Sequence, residues 1–373
     1  DDKNTFYLSL ENNVTNGIVP KDRSTRTGLR LAATTESGKL KVGYNIAYVQ
    51  ANYDRTTFDF YNETINQAAH IPLSDLKDWE NNKFASPNGY YNDYFNNPFF
   101  QLDNNRTNYA DANISGNFEV NFKAAKWLNI YNKLGVINNT RAQKSTTGKF
   151  IYSTWAKTSA NVPAPWDWAN DYNGINRALA DIQGGVSDVN STDNIINNDL
   201  QLQLNKDFGD FTNKVVIGQN IYQRSTKHVN VSSGSVVVPF IYNVNNRQGE
   251  LGGGESNTKE RKYGYYLDAS SGWKDKIFLH GTLRYDATSR FFKPDRATNL
   301  YSYLYYGLDA AFALTDLIPS LKGNVLNYAK LRAGYSKVGN DNIDLYGLDP
   351  TYPVGGGFPY GNTVGITVGG ALP

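Results

Sequence analysis

The stretch 111–138, DANISGNFEVNF KAAK WLNIYNKLGVIN, reads as two β-strands joined by a tight turn at 123–126. In its first half Ile114, Gly116, Phe118, Val120 and Phe122 alternate with Asn113, Ser115, Asn117, Glu119 and Asn121. Successive side chains of a strand point to opposite sides, so this period of two places one face in an apolar medium and the other in a polar one. The pattern recurs outward along the chain. Leu200, Leu202 and Leu204 alternate with Gln201, Gln203 and Asn205; 277–286 and 303–314 alternate likewise. Most of these segments run roughly ten residues, the length a tilted strand needs to cross a bilayer core.

The connections between them are unequal. From about residue 26 to 338, tight turns at 123–126, 206–210 and 274–276 alternate with long polar loops expected at about 51–110, 139–197, 225–260 and 288–301, with a last one at 338–373. Short turns at one end and long loops at the other indicate an all-β, antiparallel transmembrane β-barrel of the outer-membrane kind, with short periplasmic turns and long extracellular loops. A soluble antiparallel sheet with one wet face shows the same alternation but has no reason to collect its long connections at one end. Aromatics support the barrel: 27 Tyr and 18 Phe are present, and Tyr48, Tyr53, Phe122, Trp127, Tyr131, Tyr222, Tyr263, Trp273, Tyr285 and Tyr301 fall near strand ends, where interfacial girdles form.

Composition closes other routes. Mean hydropathy is −0.55 and no apolar run approaches 18 residues, so a transmembrane helix is excluded while a barrel with a polar lumen is not. A net charge of +2 gives no bulk electrostatic reason for a nucleic-acid partner. With no Cys, disulfide frameworks, thiol catalysis and cysteine metal sites are absent together. His70, His228 and His280 lie far apart without ligand spacing, so no metal and no cofactor is expected. The glycine runs 252–254 and 355–357 lack the following Lys-Ser/Thr of a phosphate cradle. The Asp/Asn clusters at 188–199 and 340–344 lack the spacing and terminal Glu of a calcium loop and read as turn chemistry.

About eleven strands can be counted, there is no leader sequence, and the last residues are glycine-rich rather than strand-like. An open sheet cannot bury its edges in lipid. The expectation is therefore a single barrel domain, of which residues 1–373 are one part.

Two motifs then carry a resemblance. LRYDATSRF (283–291) resembles the RYDGSSRF segment of the SusC/RagA family of TonB-dependent outer-membrane transporters of Bacteroidetes, and KLRAGYSKVGNDNI (330–343) is similar to that family's KLRASYGxTGNDNI. NPFF (97–100) and KWLNI (126–130) are similar to its NPY loop and WLKI strand start. Ala287, Thr288 and Ser336 to Val338 depart from the family pattern, which leaves the subfamily open. The resemblance implies a plugged barrel of the 22-stranded class, a SusD-like surface lipoprotein that lids it and delivers oligosaccharide or peptide, TonB acting through a plug domain outside this chain, a dimeric assembly as one option, and no covalent chemistry. It also implies outer-membrane lipid around the wall. A passive porin, a siderophore or cobalamin receptor, and a surface interaction barrel are the alternatives.

Within the loop 139–197, Trp155, Trp166, Trp168, Asp171, Tyr172 and Asn173 combine flat aromatics with planar polar groups, suited to sugars. The same residues suit a loop core or a lid contact, and that reading is favoured. His280, Arg284, Asp286 and Arg290 are expected to face the lumen, lining the substrate path or holding the plug or one another. The aromatic loop leans toward glycan over peptide as substrate.

Overall fold

The computed structural model describes residues 3–90, 96–158 and 180–348, with the backbone of 354–355 and 365–366. Eleven strands form one sheet in which each neighbour is the next in sequence and antiparallel. They are β1 (Asn4–Asn16), β2 (Arg23–Ser37), β3 (Leu40–Thr56), β4 (Asn105–Ala125), β5 (Leu128–Thr147), β6 (Gly185–Phe208), β7 (Phe211–Ser233), β8 (Gly252–Trp273), β9 (Ile277–Thr288), β10 (Ser302–Ala313) and β11 (Lys330–Lys337). The strand count and the up-and-down order are those expected from the sequence. β1 and β11 are the two edges.

Residues paired across a ladder share a face, and the registers assemble long rows. One row is Leu40, Phe122, Ile130, Leu202, Ile217, Leu267, Leu283 and Tyr306. Its members are apolar yet open, Phe122 at 40% and Ile217 at 49%. An apolar surface of this breadth is unfavourable in water and suited to contact with lipid tails. Polar residues that fall on this face satisfy one another: Asn132 and Asn198 donate amide N–H groups to each other's side-chain oxygens at 3.3 Å, and Gln219 donates to the Tyr265 hydroxyl at 3.3 Å. The next row on the opposite face is Lys41, Asn121, Tyr131, Gln201, Gly218, Tyr266, Arg284 and Tyr305. That face is mostly polar, with scattered apolar residues such as Val49, Ile137, Ile195 and Val216.

The turns also fix how the strands lean. The row that begins at Leu40, beside the β2–β3 turn, reaches Tyr306 and Lys337, each seven residues from the β10–β11 connection that starts after Ala313 and ends before Lys330. Seven steps of about 3.3 Å across eight spacings of about 4.8 Å give a tilt of about 30°, close to the inclination strands take in barrels. The turns themselves are tight. Gly38 and Gly209 adopt positive φ, 57° at each, as do Lys274 at 49° and Asp275 at 56°, which turns a twisted hairpin with few residues.

The long connections are shorter than expected. They span 57–104, 148–184, 234–251 and 289–301, because β3 to β8 continue well past the apolar belt. There both faces are polar, so the period of two vanishes while the ladders persist. Cross-strand polar pairs hold them: Thr107 with Ser145 at 2.8 Å, Asn113 with Asn139, Arg141 with Asp111 at 2.6 Å and Arg224 with Asp193 at 2.9 Å. The stretch expected as a loop at 338–373 contains a short pairing of Val354–Gly355 with Gly365–Ile366. At the other end, 314–329 is a long connection on the side of the short turns, built on the helical turn α4 (Leu314–Leu317) and therefore an exception to the expected asymmetry. Tyr53, Tyr131 and Tyr222 share the polar face rather than the girdle, since nearness to a strand end does not specify parity.

On the loop side lie α1 (Phe60–Ile65), α2 (Pro98–Asn104) and α3 (Thr154–Thr158); Leu76, Ala85 and Tyr90 form a small core there with Ile71, Trp79 and Phe99, and Phe60 of α1 meets Phe99 of α2 edge-on at 5.8 Å. Asn97, fully buried, caps α2 by accepting from the Phe99 N–H at 2.8 Å and donates to the carbonyls of Leu76 and Ala85, both at 2.8 Å. Phe100 stacks edge-on against Trp79 at 5.0 Å and Phe150 at 5.2 Å. The NPFF motif is thus the stitch between two loops.

Arginine placed at Phe118 or Leu202, on the apolar face, is expected to destabilise the membrane-inserted protein by roughly 2–4 kcal/mol near the bilayer midplane, and arginine at Asn117 or Gln203 by clearly less. Denaturant unfolding in lipid vesicles reads the difference; equal damage at both pairs contradicts the assignment of faces.

Candidate functional site

At the loop-side end of β7–β10 the polar face encloses a cavity of about 830 Å³. Its wall follows from strand parity and from two glycines. Tyr266, Arg284 and Tyr305 occupy one row, and Gly264, Asp286 and Tyr303 the next. A Cβ at Gly218 would strike the Tyr266 ring, and one at Gly264 the Asp286 carboxylate and Arg284, so both positions must be bare for these side chains to lie flat on the sheet. Tyr266 donates its hydroxyl to Asp199 at 2.7 Å. The Arg284 guanidinium carbon sits 5.4 Å from the Tyr266 ring centre while its Nε reaches both Asp286 oxygens, at 2.8 and 2.7 Å. Tyr303 and Tyr305 are nearly parallel, with ring centres 6.4 Å apart. The wall is aromatic with its charges neutralised in pairs.

The rim is closed by an ionic clasp. Arg290, in the 3-10 turn Ser289–Phe291, donates from Nε to Glu260 at 2.7 Å and from Nη1 to the Ile343 carbonyl. Lys262 lies 2.6 Å from Asp341 and 3.3 Å from Glu260. Lys293 donates to the Leu348 carbonyl at 2.6 Å, and the Lys259 N–H donates to the Tyr346 hydroxyl at 3.1 Å. Together these contacts draw 341–348 back from β11 across the ends of β8 and β9. The Glu260 side chain is only 6% exposed, so its two cations are what make its burial tolerable. Burial pushes the Asp341 carboxyl up, but the Lys262 hydrogen bond and charge outweigh it and hold the group below its ordinary value. The two sequence motifs at 283–291 and 330–343 thus meet in space, through Arg290 and Ile343.

Of the residues singled out from sequence, Arg284, Asp286 and Arg290 line this cavity. His280 lies lower on the polar face, between Asp268 at 2.9 Å and Asp309 at 3.4 Å. Trp155 is in α3 and 60% exposed. Trp166, Trp168, Asp171, Tyr172 and Asn173 lie outside the described residues. Sequence reading missed Glu260, Lys262, Tyr266, Tyr303, Tyr305 and Asp341. The signal available was parity: Glu260 and Lys262 stand two apart on the polar face of β8, but the apolar pattern places the start of that strand at 263. Among the described residues no group of His, Asp or Glu is arranged to hold a metal ion.

Replacing Arg290 with Ala is expected to weaken the local closure by roughly 1.5–3 kcal/mol, the range for hydrogen bonds to charged groups, and to expose 338–348 to limited proteolysis with the sheet intact. Unchanged cleavage contradicts the clasp. The Asp341–Lys262 contribution is fully present above the ordinary Asp value of 3.8 and is lost as pH falls through the lower folded value. Protease sensitivity of this segment should therefore rise only below about pH 3.8.

No family model matches the sequence, and no curated protein matches it. Solved structures do. A chain of the RagAB peptide transporter superimposes with a TM-score of 0.70 over 99% of this chain and 39% of its own, at 14% identity. The RagAB peptide importer in its closed-closed state gives 0.68 over 99% and 38%, and in its open-open state 0.69 over 98% and 38%, each at 14% identity. The chain spans about two fifths of the length of these structures. Its fold is that of the antiparallel β-sheet in the matching part of the RagAB transporter chains.

Proposed function

We propose that this chain is wall and extracellular rim of a TonB-dependent outer-membrane importer of the SusC/RagA kind, taking up oligosaccharide or peptide handed over by a SusD-like surface lipoprotein. The observation that carries this reading is the superposition of nearly the whole chain on the RagAB transporter, joined to a sheet that is apolar on one face and densely polar on the other. In this reading the apolar face contacts lipid and the polar face lines the lumen. The cavity walled by Tyr266, Arg284, Tyr303 and Tyr305 belongs to the path of the substrate. No bond is made or broken there. Flat rings offer apolar contact and hydroxyls, while ion pairs keep the wall electrically neutral, so a solute can bind and still leave. The clasped segment 341–348 forms part of the rim that a lid protein covers. A plug and further wall strands, in the remainder of the transporter, complete the barrel and take the pull from TonB.

Mild-detergent extraction from native outer membranes, purification through this polypeptide and mass spectrometry test the assembly. A stoichiometric lipoprotein and substrate uptake that stops when TonB is deleted are the expected results. Uptake that survives loss of TonB indicates a passive porin, and a TonB-dependent barrel without lipoprotein indicates a receptor of the siderophore or cobalamin type.

A further inference from the structure

On the polar face, beyond the apolar belt that ends near Tyr48, Tyr53 of β3 and Tyr109 of β4 stack with ring centres 4.5 Å apart and planes inclined by 23°. The guanidinium carbons of Arg55 and Arg141 each lie 5.0 Å from the Tyr109 ring centre. Arg141 is committed: its Nε and Nη2 donate to the two Asp111 oxygens at 2.6 and 2.7 Å, which steadies the stack from one side. Arg26 is likewise taken by Glu11 and Arg224 by Asp193. Arg55 is exposed, and no carboxylate among the described residues pairs with it. Below it, Tyr53 lines a groove of about 630 Å³ with Asn113, Asn139, Arg141 and His228.

We propose that Tyr53, Tyr109 and Arg55 form a subsite for an acidic saccharide unit, one bearing a carboxylate or sulfate; the proposal rests on the importer reading in that the polar face is taken as the substrate path. The chemistry matches group by group. A tyrosine face accepts the C–H side of a sugar ring. An exposed guanidinium two residues along the same strand face, unpaired with any carboxylate among the described residues, offers a planar fork to an oxyanion attached to that ring. Asn113 and Asn139, bonded to each other and level with Val49, four residues along β3 from Tyr53, keep their remaining amide groups for the hydroxyls of a neighbouring sugar unit. A peptide strand finds less here. The backbone of β3, β4 and β5 is fully laddered at this level, so no sheet edge is open to pair with it.

The test uses the intact transporter with whatever subunits copurify, in detergent, and titration calorimetry with trigalacturonate, a sulfated tetrasaccharide, maltotriose and triglutamate. At least one acidic saccharide is expected to bind. Arg55→Gln should weaken that binding by about tenfold or more, raised salt should weaken it further, and maltotriose should be unaffected by the substitution. Arg55→Lys, which keeps the charge and loses the fork, should fall between. Since Arg55 holds no ion pair among the described residues, unchanged thermal unfolding of both variants is the control for folding. Failure of the wild type to bind either acidic saccharide, or equal binding by Arg55→Gln, overturns the subsite. So does triglutamate binding with the same Arg55 dependence, which would make it a peptide site. TonB-dependent uptake that persists alongside any of these results keeps the importer reading and removes only this inference.

Discussion

Backbone hydrogen bonding in a medium without water governs this structure. A lipid-facing N–H or C=O with no partner costs several kcal/mol, and the chain meets that demand by pairing each strand with its sequence neighbours, from β1 to β11 without a crossover. Everything else is arranged around those ladders. Because the ladder fixes side-chain parity, a single register decides at once which residues meet the apolar medium and which meet the polar side. A slip of one residue between β4 and β5 would move Phe118 and Leu134 to opposite faces. The few polar groups on the apolar face, Asn132, Asn198 and Gln219, obey the same demand by bonding to one another or to Tyr265.

The polar face solves a different problem, the crowding of charge along a surface that must stay wet. Arg141 with Asp111, Arg224 with Asp193 and Arg284 with Asp286 stand in cross-strand or same-strand pairs. Exposed pairs of this kind add little stability each, typically below about 1 kcal/mol. Their effect is to leave a wall that is aromatic and neutral in most places. The clasp at Glu260 differs in being buried, and it converts local electrostatics into tertiary order by drawing 341–348 over the strand ends. Arg55, exposed and over the Tyr109 ring, pairs with no carboxylate among the described residues.

The membrane-crossing part of the fold was legible from the sequence because two different solvents impose a period of two on each strand. Where both faces are wet, as from Asn105 to Asn113 or Gly185 to Asn194, that signal disappears and the ladders there could not be seen. Short motifs were legible in another sense. NPFF, LRYDATSRF and the GNDNI segment mark places where the chain must hold a loop still, and the structure shows the reasons in Asn97, Arg290 and the Ile343 carbonyl. The cavity was only half visible. Arg284, Asp286 and Arg290 could be named from parity, Glu260 stands on the part of β8 that lies beyond the apolar pattern, and Asp341 joins them through a fold-back of the chain that no local pattern announces.

A single-cysteine scan along 108–122 tests the membrane assignment most directly, since the chain contains no cysteine of its own. With the protein in lipid vesicles, labelling by a membrane-impermeant maleimide should alternate from 114 to 122, with Ile114, Phe118 and Phe122 protected and Ser115, Asn117 and Asn121 reactive, then become reactive at both parities from Asp111 back to Asn108. Uniform reactivity through 114–122, or protection extending through Asn108, contradicts the account of a barrel wall whose strands cross the bilayer and rise beyond it.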